Sequence, residues 1–438
     1  MRLAEARAGL IVSLVSALAV AALAVPALAG AGGSQPLIFL STQLRPIEEA
    51  QKMRDTVLRG YVGAVEFIPV EPVPFVDRVL AEQRAGRFSI GVLGGVHGDF
   101  PALAEAGALD SLDDVLAALR SRGFPESFLK LGRLGTDHQR YIPWMQATYI
   151  MVANRQALPY LPDGASLSSL TYDQLRQWGQ NLYEATGRRL LGFPAGPTGL
   201  MHRFFQGYLY PSYTASVVTE FRSAQAEAMW EAFRQLWAYV NPQSTSYAFM
   251  QEPLLAGEVW VAWDHTARLI DALRQRPDDF VAFPAPVGPA GRGFMPVLAG
   301  LAIPKGAPDR AAAVSLIDYL TRPETQVTLL QEIGGFFPVV EASLGSSLPA
   351  GVRMAAEAVS AQAASPEAVP SLLPVGLGTL DGEFNRVYLD TFTRIVLRNQ
   401  PVRPVLDQQA EALRRIMQQS GAPCWPPDQP SDGACPVQ

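Results

Sequence analysis

Cysteine is almost absent: the 438 residues hold two, Cys424 and Cys435, both within the final 15 positions. That count excludes a disulfide-dense scaffold and a thiolate metal cluster. With ten residues between them, amid Pro, Gly and Asp, the pair predicts one disulfide closing a short terminal loop, with no expected part in function. A metal site there is disfavoured, because no histidine follows His265. Histidine is nearly as scarce: His97, His138, His202 and His265 are dispersed, and none forms an H-E-x-x-H pair. There is no G-x-S-x-G elbow and no P-loop; the run Gly94-Gly95-Val96-His97-Gly98-Asp99 invites a nucleotide or phosphoesterase reading but lacks a following Lys-Ser/Thr. Neither a catalytic metal nor a cofactor is expected. The 41 carboxylates leave a glycosidase-type pair open, since its members need only be neighbours in space.

Positive charge is not in excess either. The formal net charge is −6, which disfavours nucleic acid and anionic membranes as partners.

A hydrophobic content of 48% with 17% charged residues is enough to bury the core of two lobes. Arg2 and Arg7 precede an uncharged run, Ala8 to Ala29, that closes on Ala27-Leu28-Ala29, a small-x-small exit. Residues 1–29 therefore read as a secretory signal, the alternative being an uncleaved anchor helix. No cysteine near the cut leaves the lipid-anchor route closed. Without Arg2, Glu5 and Arg7 the charge becomes about −7.

After a leader at 30–34, apolar runs at Leu37 to Leu40, Ala64 to Ile68 and Ser89 to Leu93 alternate with helical spacing at Ile47 to Leu58 and Phe75 to Arg84. This alternation predicts βαβ units and a mainly parallel sheet. Farther on, Ala224 to Val240 carries a core-facing apolar stripe. Glu258 to Trp263 and Phe280 to Phe283 read as strands, Asp309 to Leu320 and Glu324 to Glu332 as helices. Ala355 to Pro374 reads as a surface helix and loop; Tyr388 to Leu397 and Val405 to Met417 read as closing helices.

Four stretches carry a family likeness. The first runs from Phe75-Val76-Asp77-Arg78-Val79-Leu80-Ala81 to Leu103-Ala104-Glu105-Ala106-Gly107-Ala108-Leu109-Asp110. The second is Tyr141-Ile142-Pro143 with Ala147 to Val152, Asn154 and Arg155; the third is Leu254 to Val261. The fourth runs from Pro284-Ala285-Pro286 through Gly300-Leu301-Ala302-Ile303-Pro304 to Gly334-Gly335-Phe336-Phe337-Pro338. In this order, over residues 36–418, the chain resembles the family 1 extracellular solute-binding proteins of ABC importers, the group that includes maltodextrin-binding proteins. It departs from their pattern at Thr171-Tyr172-Asp173-Gln174-Leu175, where Gln174 stands for Glu, and at Ile90-Gly91-Val92, where Gly91 stands for a carboxylate near the expected cleft.

The resemblance implies an α/β, two-lobe periplasmic-binding-protein fold of type II with a hinge between the lobes. Residues 36–146 with 299–345 would form lobe one, residues 147–298 with 346–418 lobe two, and 419–438 a disulfide-closed tail. Crossovers are expected near Gln146 to Ile150 and Val297 to Gly300. The implied function is extracytoplasmic capture of a sugar or polyol by a monomer that serves the transmembrane subunits of an ABC permease, with a periplasmic hydrolase as the alternative. Ligands of open α/β sheets lie beyond the carboxyl ends of strands, which nominates Ser41, Thr42, Gln43, His97, Asp99, Trp263, Asp264 and His265. Trp144, Gln146 and Gly300 join them at the crossovers, with Trp144, Tyr149 and Trp263 as stacking platforms. Core packing competes for each tryptophan, and helix capping for Asp264. No Arg or Lys cluster stands out at these strand ends, which argues against a phosphorylated ligand.

Overall fold

A computed structural model describes residues 35–345 and 348–438. The expected signal at 1–29 lies outside the described residues. Twelve strands occur in chain order: β1 Leu37–Ser41, β2 Val65–Pro69, β3 Ile90–Val96, β4 Ile142–Ala147, β5 Tyr149–Asn154, β6 Leu191–Gly192, β7 Val261–His265, β8 Phe280–Phe283, β9 Arg292–Phe294, β10 Val297–Ala302, β11 Phe337–Pro338 and β12 Ala368–Pro370.

Six of them form one sheet in the order β11-β4-β10-β3-β1-β2. Strands β1, β2 and β3 are parallel, and β10 runs antiparallel between β3 and β4. The near-continuous apolar runs seen in the sequence follow from burial on both faces. Phe39, Val92 and Trp144 pack on one side against helices Arg310–Leu320 and Pro323–Glu332. Leu40, Leu93 and Tyr141 pack on the other side, against Pro72–Ala85. That helix starts on Pro72, where no N–H is needed, and stops at Gly86. A second sheet, β6-β7-β5-β8, is likewise covered on both faces, with β9 and β12 pairing beside it.

Both sequence departures have local explanations. Gln174 completes a capping box for helix Tyr172–Thr186: its Oε1 accepts from Thr171 N at 3.0 Å, and Thr171 Oγ1 accepts from Gln174 N at 3.1 Å. Gly91 does not sit near a cleft. It opens β3, about 16 Å before the strand's carboxyl end, and a methyl there would collide with Leu37. A carboxylate has no room at this position.

Two further expectations are corrected. The third stretch yields a strand starting at Val261, three residues late, because a turn at Gly257 follows helix Gln251–Leu255. The expected surface helix instead spans Ala350–Ala363 and is half interior. Val352, Ala355, Ala356, Val359 and Gln362 are buried as it packs on β8 and on helix Ile270–Gln275. Its small side chains allow that close approach, and alanine-rich composition alone does not separate this from a solvated face.

The tail is part of the core. Cys424 and Cys435 form the expected disulfide, and Trp425, Cys435 and Val437 are buried in the second lobe. Asp428 accepts from the backbone N–H groups of Val217, Val218 and Thr219 at 2.8 to 3.0 Å and from the hydroxyls of Ser216 and Thr219. Replacing Asp428 by Ala strands three buried N–H donors and is expected to lower the unfolding free energy by about 2–4 kcal/mol in urea titrations. A loss below about 0.5 kcal/mol, the range of an ordinary surface change, would contradict this anchoring.

Candidate functional site

The chain passes from the first sheet to the second at Thr148, between β4 and β5, and returns at Met295-Pro296, between β9 and β10. Strand direction decides what meets there. The carboxyl ends of β1, β3 and β4 share one edge of the first sheet, because β10 is antiparallel to both β3 and β4. In the second sheet Tyr149 opens β5 opposite His265, which closes β7, and β6 runs parallel to β7. The two edges flank the crossovers, the position at which open α/β sheets leave a ligand crevice. It narrows at exposed Gly98, where a methyl would come within 3.8 Å of Pro374 O.

The first wall is polar. Gln43 Nε2 donates to Thr42 Oγ1 at 3.0 Å, and Thr42 Oγ1 donates to Asp99 Oδ2 at 2.6 Å. Val96 N also donates to Asp99 Oδ2, at 2.9 Å, so this carboxylate holds the β3 turn closed. Burial pushes its pKa up, against those two hydrogen bonds. Ser41 Oγ accepts from Gln43 N at 3.0 Å. His97 Nδ1 lies 2.9 Å from Tyr141 Oη, and burial pushes His97 down to about 4, so it is neutral at pH 7.

The second wall is built on Trp263, Asp264 and His265. Trp263 stacks on Tyr149 with centroids 4.8 Å apart and 4° between planes, edge-on to Phe204 and Tyr208. Asp264 points to the other side of the strand, where Oδ2 accepts from Met250 N at 3.0 Å and Oδ1 from His265 N at 2.7 Å. Burial raises it to about 7, opposed by Arg268. The cap on the following turn belongs to His265, whose Nδ1 accepts from Ala267 N at 3.2 Å. Burial and then the positive charge of Arg268 push His265 down to about 3.

Two arginines absent from the sequence-based site stand on this wall. Arg268 lies 4.4 Å above the exposed Phe249 ring and donates from Nη1 to Ala248 O at 2.9 Å. Arg203 donates from Nη1 to Gln206 Oε1 at 3.0 Å. His202, pushed down to about 3 by burial and then by both arginines, lies within the field of each. Among the described residues neither guanidinium has a carboxylate within 4.0 Å.

Residues 88–327, more than half of the chain, match the family described as bacterial extracellular solute-binding proteins. The chain belongs to that family. No curated protein sequence matches this solute-binding protein significantly. Solved structures agree on its two-lobe α/β fold. The sugar-binding protein MalE of Xanthomonas citri superposes with a TM-score of 0.68 at 16% identity, over 87% of this chain and 97% of that one. UgpB of Mycobacterium tuberculosis, in complex with glycerophosphocholine, gives 0.66 at 18%, over 88% and 99%. Maltose-bound MalE3 of T. maritima gives 0.66 at 17%, over 87% and 99%. Members of the family are extracellular or periplasmic receptors for small solutes.

The fold of this solute-binding protein brings Ser41, Thr42, Gln43, His97 and Asp99 to one edge and Trp263, Asp264 and His265 to the other. Six nominated residues offer no side chain to the crevice. Trp263 and Tyr149, expected as stacking platforms, are buried and stack on each other in the core of the second lobe, and Asp264 is buried with both oxygens held by backbone N–H groups. Trp144 is fully buried beneath the first sheet, 5.5 Å from Phe39, and offers no ring face to the crevice. Gln146 donates to Pro338 O at 3.1 Å and lines a hollow of about 210 Å³ with Phe337 and Ala356, behind the crossover. Gly300 lies inside the sheet, where the Tyr141 ring occupies the space of a side chain; it thereby lets Tyr141 reach His97. Arg268 was within reach of sequence reasoning, three residues after His265, whereas Arg203 stands on a four-residue helix, Met201–Phe204, with no periodic signal. Among the described residues no group of three His, Cys, Asp or Glu is arranged to hold a metal ion.

Acid should destabilise this protein between pH 6.5 and 4. His97, His202 and His265 have folded pKa values of about 4, 3 and 3 against 6.5 for the free side chain. The unfolded chain therefore takes up three protons that the folded one refuses, and stability present above pH 6.5 is lost as pH falls. Asp264, raised from 3.8 to about 7, acts in the opposite sense with one proton, its contribution being lost as pH rises to 7. Denaturant titrations at several pH values should give an unfolding free energy that declines on acidification, and less steeply in His265→Gln. A flat or rising profile would contradict neutral histidines in the crevice.

Proposed function

We propose that this protein is the extracytoplasmic receptor of an ABC importer. It captures a sugar or related polyol in the inter-lobe crevice and delivers it, as a monomer, to the permease's transmembrane subunits. The observation that carries the reading is the crevice itself: two sheets joined at Thr148 and Met295-Pro296 present strand ends to each other, in a chain that belongs to a solute-binding family. Lobe one comprises residues 36–146 with 299–345, lobe two residues 147–298 with 346–418, and the two close about these crossovers. Export by residues 1–29 places it in the periplasm or at the cell exterior. The maltose in MalE3 of T. maritima and the sugar-binding description of the Xanthomonas citri protein support a saccharide-sized solute.

Catalysis is disfavoured by the state of the carboxylates. Of the two acids singled out by strand ends, Asp99 engages one oxygen, Oδ2, with Thr42 and Val96, while Asp264 is fully buried with both oxygens held by backbone N–H groups and is free for neither role. A glycosidase pair needs one carboxyl free to give a proton and one free to attack or to activate water. The hydrolase alternative therefore has no acid–base pair at these strand ends.

Isothermal titration against neutral sugars, polyols and their phosphorylated and carboxylated derivatives should return one-to-one binding, with the ligand recovered unchanged and a melting temperature that rises with its concentration. Turnover of the bound compound would overturn the receptor reading.

A further inference from the structure

We propose that the solute carries an anionic group, a phosphate or a carboxylate, received by Arg203 and Arg268 on the wall of the second lobe. This rests on the receptor reading and narrows its ligand class. Strands β6 and β7 are adjacent and parallel, so the segments that follow them emerge at one edge of the sheet. Arg203 lies on the helix after β6, and Arg268 on the turn Thr266–Arg268 after β7. The sequence separates them by 65 positions, and Arg268 Nη1 reaches Thr198 O, on the segment that leads into the helix of Arg203, at 3.5 Å.

Both guanidiniums are half-buried, and each presents five N–H donors. Arg268 engages Nη1 with Ala248 O at 2.9 Å and Thr198 O at 3.5 Å, and Arg203 engages Nη1 with Gln206 Oε1. These acceptors are neutral and leave both charges uncompensated. Asp271, three positions after Arg268, lies on the next helix and forms no ion pair with it, and Asp264, four positions before, is fully buried with both oxygens engaged by backbone N–H groups. From Arg203 the next acid is Asp381, reached only through the amides of Gln206 and Asn385. The depression of His202 and His265 in this field removes two further sources of positive charge and leaves the arginines as its centre. Two partly desolvated cations without a counter-ion are costly to hold in a protein wall. A phosphate or carboxylate would neutralise them through charge-assisted, bidentate hydrogen bonds, and a hydroxyl would not. Phe249, beneath Arg268, fixes its planar group at the crevice.

The test titrates the full-length exported protein with matched pairs: glycerol against glycerol 3-phosphate, glucose against glucose 6-phosphate and against glucuronate, and inorganic phosphate alone. The phosphate and glucuronate arms distinguish the two sources of negative charge. Expected is an anionic member that binds at least ~10-fold tighter than its neutral parent, weakens as salt rises, and loses at least ~10-fold in affinity in Arg203→Gln or Arg268→Gln. Circular dichroism and melting curves accompany each variant. If Arg268→Gln fails to fold, Arg203→Gln and Arg268→Lys carry the comparison. Neutral compounds that bind as tightly as the anionic ones, or anion binding indifferent to both arginines, would overturn the inference and leave the receptor reading standing. No binding across the panel, or turnover, would overturn both.

Discussion

The hydroxyl of Thr148 sits where the two halves of the molecule are tied. It donates to Met295 O at 2.9 Å, lies 3.0 Å from Tyr208 Oη, and accepts from Gln362 Nε2 at 3.3 Å. Tyr208 Oη in turn accepts from Tyr149 N and donates to Tyr149 O, both at 3.0 Å, while Gln362 Nε2 also reaches Tyr149 O at 3.1 Å. One buried threonine thus joins the outgoing crossover, the segment that leads into the returning one, the helical segment after β6 and helix Ala350–Ala363. Buried polar groups at a chain crossing must find partners, and a closed network satisfies them while fixing the strand directions on either side. Those directions are what bring the carboxyl ends of β1, β3, β6 and β7 to one crevice.

The crevice walls differ in electrostatic character. On the first lobe Gln43, Thr42 and Asp99 are linked in series and His97 is held neutral, so the wall offers hydrogen bonds around one buried carboxyl group. On the second, Arg203 and Arg268 stand beside histidines that their own charge helps to keep unprotonated. A ligand lying across the gap would meet polar groups and one buried carboxyl group on one side and two arginines on the other. Closure removes water from both and strengthens every such contact.

Much of the fold was legible because its signals are local. Leu37 to Leu40 and Ser89 to Leu93 are strands buried on both faces, which leaves an unbroken apolar run. The two cysteines have one way to pair within the chain. Features set by packing at a distance were not legible. Ala350–Ala363 reads as a solvated helix until its partners on β8 are known. Strand-end reasoning named Ser41, His97 and His265, and the structure places each at the carboxyl end of its strand or on the turn that follows. It could not place the ring of Trp144, since alternation decides which side of a strand is core only once the sheet exists. Arg203 and Arg268 stand 65 positions apart, so they form no basic cluster along the chain, and only the fold brings Arg268 to the segment that precedes Arg203.

The proposal that the two sheets tied at Thr148 close over a solute is a claim about shape that does not depend on which solute binds. Small-angle X-ray scattering of the protein with and without a saturating ligand measures it directly. The account predicts a smaller radius of gyration in the bound state, as the lobes rotate about the Ala147–Tyr149 and Met295–Val297 crossovers. An unchanged scattering profile at full occupancy would contradict it.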